Sequence, residues 1–155
     1  MKTSSPKKSP HAAVKTPRPA RQKGAPEAQQ VALWIASAAL DKKAQDVEIL
    51  DVRGKVDYAD FVVIASGRSD RQVGAIARGI EETLKHEHEQ RCFGVEGLTQ
   101  GQWVLMDFGD VIVHVFHQDT RGYYDLEALW MDAARVDVPE ASAPDSGRDD
   151  DPWRD

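Results

Sequence analysis

Residues 102–117 constrain the fold more than any other part of the sequence, because they hold two apolar segments on either side of a short acidic turn. In the second segment, residues 111–117, three valines alternate with an isoleucine, a histidine and a phenylalanine. Apolar side chains on both faces are typical of a strand that is covered on both sides. In the first segment, Trp103, Leu105 and Asp107 share one face. The sequence therefore predicts two central strands joined by a glycine-containing turn, with a mixed surface suited to recognition as well as packing.

Helical and strand-like periodicities alternate along the rest of residues 27–136. Ser69, followed three residues later by Gln72, is a capping-box pattern that predicts the start of the middle helix. The predicted helices are 27–44, the segment from the Ser69 cap to about 89, and the segment from 119 or 120 to 134, and the predicted strands are 45–52, 58–66, 92–95, 102–107 and 111–117. This order predicts an α/β (α+β) domain in which helices flank a mixed sheet of about five strands.

Charge is distributed unevenly along the chain. Residues 1–26 carry seven Lys or Arg and no acid, residues 27–136 carry eleven basic and nineteen acidic side chains, and residues 137–155 carry two basic and seven acidic ones. The basic head and the acidic tail have little to bury, so both are predicted to be disordered. A basic head also attracts phosphates, which leaves a weak RNA contact open beside a purely solubilising role.

The sequence predicts a cytoplasmic protein without membrane contact. No apolar run approaches the roughly 20 residues that a bilayer-spanning helix needs, and the N-terminal residues lack the apolar core of a secretory signal. The single cysteine, Cys92, cannot form an intramolecular disulfide, which fits a reducing compartment.

Three patterns offer enzyme chemistry, and none is complete. Residues 66–69 form a strand–glycine–helix turn that could cradle a phosphate, but they lack the Walker and dinucleotide fingerprints, and a plain helix start explains them as well. The closest carboxylate pair, Asp46 and Glu48, opens a strand and need not lie near that turn. His114 and His117 lie on opposite faces of one strand, which suits a hydrogen-bonded core histidine at position 114 better than a metal site. No catalytic residue, metal or cofactor is therefore predicted.

Aromatic side chains among acids are the remaining functional signal. Trp103, Tyr58 and either Tyr123 or Tyr124 are expected to be exposed on an acidic body. Exposed aromatics are typical anchors of protein interfaces, and an acidic body attracts basic proteins while it repels bare nucleic acid. A basic protein partner, such as a ribosomal protein, is therefore expected.

Five ordered segments resemble the ribosomal silencing factor family, also called iojap-like, and together they cover about residues 30–133. They are ALDKKAQDVEILDVRG at 39–54, DFVVIASGRSDRQVGAIA at 60–77, GVEG at 94–97, WVLMDFGDVIVHVF at 103–116 and YYDLEALW at 123–130. The resemblance implies a nucleotidyltransferase-type fold that has lost catalysis. It also implies binding to the large ribosomal subunit through ribosomal protein L-fourteen, at the face that meets the small subunit. Family members can form dimers, so a homodimer stays open.

The resemblance also suggests which residues contact the partner. Four residues match the family's Trp-x-x-x-Asp-x-Gly-Asp motif region and two others match family acids. The motif residues are Trp103, Asp107, Phe108 and Asp110, and the additional acids are Asp60 and Glu96. Whether Trp103 belongs to the interface or to the core stays open at this point, because tryptophans are usually largely buried.

The resulting hypothesis is a non-enzymatic translational repressor that docks on ribosomal protein L-fourteen and sterically blocks subunit joining. Two alternatives remain. One is a nucleotidyltransferase-like enzyme that uses the turn at 66–69 for phosphate, and the other is an RNA-binding ribosome assembly factor that relies on residues 1–26.

Overall fold

The computed structural model describes residues 26–139. The disorder predicted for the basic head and for most of the acidic tail falls on residues outside this range. The described chain folds into three α-helices, one 3-10 helix and six strands. In chain order these are α1 (Ala28–Asp41), β1 (Gln45–Asp51), β2 (Phe61–Gly67), α2 (Asp70–His88), β3 (Gly94–Glu96), β4 (Trp103–Asp107), β5 (Val111–His117), α3 (Gln118–Tyr124), the 3-10 helix (Leu126–Trp130) and β6 (Ala134–Val136).

The six strands form one mixed sheet in the order β3-β4-β5-β2-β1-β6. Strands β2 and β5 are parallel, with Phe61 opposite Val111 and Gly67 opposite His117, and every other neighbouring pair is antiparallel. Of the two strands predicted to be central, β5 lies in the middle of the sheet beside β2, whereas β4 lies one position nearer the edge, between β3 and β5. The predicted mixed α/β architecture is observed. Strands with apolar side chains on both faces occupy the middle because only there are both faces covered.

One face of the sheet carries the larger part of the core. Helices α1 and α2 lie side by side against it and bury the three alternating valines of β5 together with Phe61, Val63 and Met106. The apolar stripe of α2 repeats at helical spacing through Val73, Ile76 and Ile80, so this face of the helix turns toward the sheet.

The opposite face, called here the second face, is covered only in part. Helix α3, the 3-10 helix and the segment after β1 pack over β1, β2 and the Trp103 end of β4. The buried members of this second core are Leu50, Val52, Ala59, Val62, Ile64, Trp103, Phe116, Trp130 and Ala133. Along β4, the next side chains on this face, Leu105 and Asp107, remain partly exposed.

The predicted start of α2 at the Ser69 cap is confirmed. The Ser69 hydroxyl accepts a hydrogen bond from the Gln72 backbone N–H at 3.1 Å, and Oε1 of Gln72 accepts one from the Arg68 backbone N–H at 2.7 Å. The Ser69 hydroxyl thus satisfies a backbone donor of the first helical turn, whereas Gln72 bonds to the residue before the N-cap and not to the Ser69 N–H that a capping box uses. At the other end, Glu89 adopts a left-handed conformation with φ of 56° and ends the helix.

The predicted long C-terminal helix is wrong. Helix α3 begins one residue after His117, whose Nδ1 accepts a hydrogen bond from the Asp119 backbone N–H at 3.2 Å, rather than after a cap at 119 or 120. It stops at Tyr124 because Asp125 adopts a left-handed conformation with φ of 48°. A short 3-10 helix follows, and residues 134–136 form a sixth strand beside β1 instead of a last helical turn.

Candidate functional site

Trp103 is a core residue. It is 5% exposed, and its indole N–H donates a hydrogen bond to Nδ1 of His114 at 2.9 Å. Its ring lies 4.8 Å from the ring of Phe116 and 4.7 Å from the ring of Tyr124, measured between centroids. The expectation of an exposed tryptophan is therefore wrong, and the alternative of core packing holds. The prediction of a hydrogen-bonded core histidine at His114 is confirmed.

The turn between β4 and β5 is held by its own hydrogen bonds. Oδ1 of Asp107 accepts from the Gly109 backbone N–H at 2.8 Å, and the Phe108 N–H donates to the Val111 carbonyl at 2.9 Å. Gly109 has φ of +91°, a conformation that side chains with a Cβ rarely adopt. Phe108 is 7% exposed and belongs to the core beneath α1 and α2. Its ring fixes the turn from inside and does not face solvent.

Two of the predicted acids meet at the end of the sheet where β2 and β5 begin. The backbone N–H groups of Asp60 and Phe61 both donate to the Asp110 carbonyl, at 2.7 and 3.2 Å. Asp107 ends β4 at the same edge, opposite Ile112 of β5. Trp103 lies four residues away at the other end of β4, about 13 Å distant at the usual rise of a strand. The predicted motif is thus split between a buried indole and an acidic edge.

A partly exposed strip connects these positions across the second face of the sheet. Leu105 lies between Trp103 and Asp107 on β4, and it is opposite Glu96 of the outermost strand β3. Ile112 is opposite Asp107 and is also partly exposed. We call the four positions Glu96, Leu105, Asp107 and Ile112 the β4 face. It combines an apolar centre with two carboxylates and contains no basic side chain.

The serine hydroxyls of the turn proposed for phosphate binding make hydrogen bonds within the fold. The Ser66 hydroxyl is buried and bonds to a terminal nitrogen of Arg121 at 2.8 Å, and the Ser69 hydroxyl caps α2. A Cβ placed on Gly67 would lie 3.0 Å from the side chain of Val73, so this glycine permits a close approach between strand and helix. The arrangement is that of a helix start.

The candidate carboxylates do not form a metal site. Among residues 26–139, no group of three or more His, Cys, Asp or Glu side chains is placed to hold a metal ion. Glu48 makes ion pairs with Arg121 and Arg135, and Asp46 lies at a β-bulge with φ of 51°. Burial raises the pKa of the Cys92 thiol, which disfavours the nucleophilic thiolate.

Sequence reasoning missed Arg121, an 8% exposed arginine that ties α3 to the sheet. Its guanidinium donates to Glu127 Oε2 at 2.7 Å, to the Asp46 carbonyl at 2.7 Å and to the Ser66 hydroxyl at 2.8 Å. A buried arginine needs such partners because an unpaired buried charge is strongly unfavourable. Nothing in the local sequence marks this residue, since its partners come from two other strands and the 3-10 helix.

In the described residues 26–139, no helix has the length and apolar character required to cross a membrane.

Comparison with known proteins decides the family. The family model described as "Ribosomal silencing factor during starvation" matches residues 25–154. The chain belongs to the ribosomal silencing factor family. The family's description denotes regulation of translation through the ribosome rather than a catalytic step.

Relatives of this ribosomal silencing factor support the assignment along most of its length. It is 47% identical over 111 residues to the ribosomal silencing factor RsfS of Bacillus subtilis, covering 71% of this chain and 93% of the relative. It is 31% identical over 113 residues to the chloroplastic protein Iojap of Zea mays, covering 73% of this chain and 49% of that protein.

Two solved structures share the fold. A crystal structure from Bacillus halodurans superimposes with a TM-score of 0.62 at 40% identity, covering 71% of this chain and 99% of that chain. A crystal structure from Chromobacterium violaceum superimposes with a TM-score of 0.67 at 36% identity, covering 77% of this chain and 98% of that chain. This ribosomal silencing factor therefore shares its overall fold with solved proteins that are clearly similar to it in sequence.

Proposed function

We propose that this ribosomal silencing factor represses translation in the cytoplasm by docking on the large ribosomal subunit, through the basic protein L-fourteen, and blocking its association with the small subunit. The observation that carries the proposal is the β4 face. Leu105 and Ile112 provide an apolar centre, and Asp107 and Glu96 provide negative charge. Such a surface complements a partner that presents apolar side chains within a basic rim.

The predicted contact residues then take different roles. Asp107 and Glu96 lie on the β4 face, and Asp60 and Asp110 lie at the end of the sheet where β4 stops, joined to each other by a backbone hydrogen bond. Trp103 and Phe108 act from inside, since both are buried. Trp103 supports one end of β4 and Phe108 supports the turn at the other end, so the exposed side chains between them are held in fixed positions.

The proposed mechanism is steric and requires no chemical step. A bound domain of 114 described residues prevents subunit contact if it occupies part of the joining surface. The engagement of Ser66 and Ser69 within the fold supports a regulatory protein over a nucleotidyltransferase. Isothermal titration calorimetry with nucleoside triphosphates and Mg²⁺ separates these functions, because saturable binding would favour the enzyme.

The decisive experiment is co-sedimentation with purified large subunits, followed by a subunit reassociation assay. The test variant is Asp107→Asn with Glu96→Gln, which removes two charges but leaves an amide oxygen at position 107 to accept from Gly109. The matched control is Asp57→Asn with Glu82→Gln, which removes two charges from exposed positions outside the β4 face. We expect weaker sedimentation and more reassociated ribosomes with the test variant than with wild type or the control.

Two results would contradict the proposal. If wild-type protein remains at the top of the gradient and subunits reassociate normally, silencing by large-subunit docking is excluded. If wild type binds and both double variants bind equally well, docking occurs but the β4 face does not mediate it.

A further inference from the structure

A cavity of about 360 Å³ opens beside Trp103, at the end of the sheet opposite the acidic turn. It lies between the start of β4 and helix α3, and none of its lining residues belongs to the β4 face. The lining residues are Gln102, Trp103, Asp119, Thr120, Tyr123 and Tyr124. Three of the six are aromatic, one is a carboxylate and none is basic.

The aromatic rings form adjoining walls. The indole of Trp103 is buried at the back, and the ring of Tyr124 lies 4.7 Å from it. The ring of Tyr123 meets that of Tyr124 edge-on, at 5.0 Å and an interplanar angle of 88°. Tyr123 is 62% exposed, so its ring stands at the mouth. Aromatic rings carry negative π faces, so a lining that contains three of them favours a cation over a neutral ligand.

The polar side of the cavity is also negative. The Asp119 side chain is 87% exposed at the rim. The Thr120 hydroxyl donates to Oε1 of Gln102 at 2.8 Å, and Nε2 of Gln102 donates to Asp70 Oδ1 at 2.9 Å. This chain of hydrogen bonds fixes the Gln102 amide and places a second carboxylate, that of Asp70, directly behind it.

The nearest arginine in the chain does not neutralise this charge. Arg121 follows Thr120 but turns into the fold, where Glu127 and Glu48 pair with its guanidinium at 2.7 and 3.8 Å. Arg121 therefore does not pair with Asp119. The imidazole of His117 comes closer, with Nδ1 at 4.0 Å from Asp119 Oδ2, and this nitrogen accepts a hydrogen bond from the Asp119 backbone N–H at 3.2 Å.

We propose that this cavity receives the guanidinium group of an arginine side chain from the basic partner, as a second contact beside the β4 face. The inference rests on the proposed function for the source of the arginine. A guanidinium is planar, stacks on aromatic rings and donates hydrogen bonds in a fork that matches a carboxylate, whereas a lysine ammonium is a compact and strongly hydrated charge. The tyrosine rings supply the stacking surface, and Asp119 supplies the acceptor.

The first test uses a small probe and solution NMR of the full-length protein. N-acetyl-arginine amide is titrated against N-acetyl-citrulline amide, which has the same shape without the charge, and against N-acetyl-lysine amide. We expect saturable shifts of the Gln102 side-chain amide and of the two tyrosine rings with the arginine compound, and smaller shifts with the others. Asp119→Asn and Tyr123→Ala should each weaken the affinity about two- to five-fold, as expected of exposed cation–π and ionic contacts. Glu82→Gln, an exposed charge change on α2, should leave it unchanged.

Equal shifts with the citrulline compound, stronger ones with the lysine compound, or shifts that survive both pocket substitutions would overturn the assignment. Co-sedimentation with large subunits then separates this inference from the proposed function. If wild type binds the subunit and the pocket variants bind it equally well, the inference fails and silencing stands. If wild type does not bind the subunit but the arginine compound still titrates the cavity, the proposed function fails and the cavity remains a guanidinium site.

Discussion

The indole N–H of Trp103 on β4 donates diagonally to Nδ1 of His114 on the adjacent strand β5, at 2.9 Å. Trp103 is directly opposite Phe116 in the ladder, and His114 is opposite Leu105, so the bond joins two rungs that are separated by the Val104–Val115 pair, whose side chains point to the other face. Both partners are buried, and a buried polar atom that loses its partner is costly. The pair therefore holds the start of β4 in place between the β4 face and the aromatic cavity.

Removing the indole N–H should destabilise the domain. Trp103→Phe leaves Nδ1 of His114 without this donor and should cost about 1–3 kcal/mol. Trp103→Ala also leaves a cavity and should cost about 3–5 kcal/mol, so it cannot serve as a clean test of binding. Urea unfolding gives both values. The double variant Trp103→Phe with His114→Leu should cost less than the sum of the single changes. An additive result would show that the hydrogen bond contributes nothing to stability.

Loss of the buried guanidinium should loosen the C-terminal part of the fold. Arg121→Met removes the bonds to Glu127, to the Asp46 carbonyl and to Ser66, and should cost about 3 kcal/mol or more, since it leaves carboxylates uncompensated. Hydrogen exchange followed by mass spectrometry should show that the variant exchanges faster than wild type, and that this increase is larger in residues 118–136 than in α2. Adding Glu127→Gln should recover part of the loss. Unchanged exchange in residues 118–136 would mean that apolar packing alone holds this segment.

Gly101 and Gly54 allow the effect of steric contact to be separated from that of backbone strain. Both have positive φ, +69° and +80°, so alanine is strained at either position. A Cβ at Gly101 would lie 2.9 Å from Cβ of Asp70 and 3.0 Å from its carbonyl oxygen, whereas a Cβ at Gly54 meets nothing within 4 Å. Gly101→Ala should therefore destabilise the domain by about 1–3 kcal/mol more than Gly54→Ala. Thermal unfolding of the two variants tests this, and equal losses would refute the contact.

Stability should fall in acid partly through Asp51. The side chain of Arg53 donates to the Asp51 carboxylate at 3.0 and 2.7 Å and lowers its pKa in the folded state. The Asp51 carboxylate therefore binds a proton more readily in the unfolded chain than in the folded one. Its contribution to the free energy of unfolding is present above about pH 4 and is lost as the pH falls through the folded-state pKa. Urea unfolding between pH 7 and pH 3 should show a shallower acid loss for Asp51→Asn and for Arg53→Gln than for wild type. Identical slopes would show that the pair is not linked to acid unfolding.

Elements with a regular apolar period could be predicted from the sequence. The alternating valines of β5 indicated a strand covered on both faces, and the Ser69 cap followed by helical spacing indicated α2. These signals are local, since each residue's environment follows from its neighbours along the same element. The fold class followed from the order of such elements.

The C-terminal part of the domain could not be predicted in the same way. Residues 118–134 have enough apolar side chains at helical spacing to suggest one helix. The helix ends because Asp125 adopts a left-handed conformation, which an aspartate in the sequence does not by itself predict. The sixth strand depends on pairing with β1, more than eighty residues earlier in the chain. The burial of Trp103 depends on Tyr124, which α3 brings over it. Contacts between distant segments decide each of these features.

The central parallel pairing has a consequence for the order in which this domain can form during its own synthesis. Strand β2 can pair early with its antiparallel neighbour β1, which precedes it in the chain. Its other edge pairs with β5, and the partner of Phe61 is Val111, about fifty residues later in the chain. Until those residues leave the ribosome, the nascent chain carries a strand that is wholly buried in the folded domain but still has one edge unpaired. The domain therefore cannot complete its core progressively from the N-terminus, and its folding must await nearly the whole of the described chain.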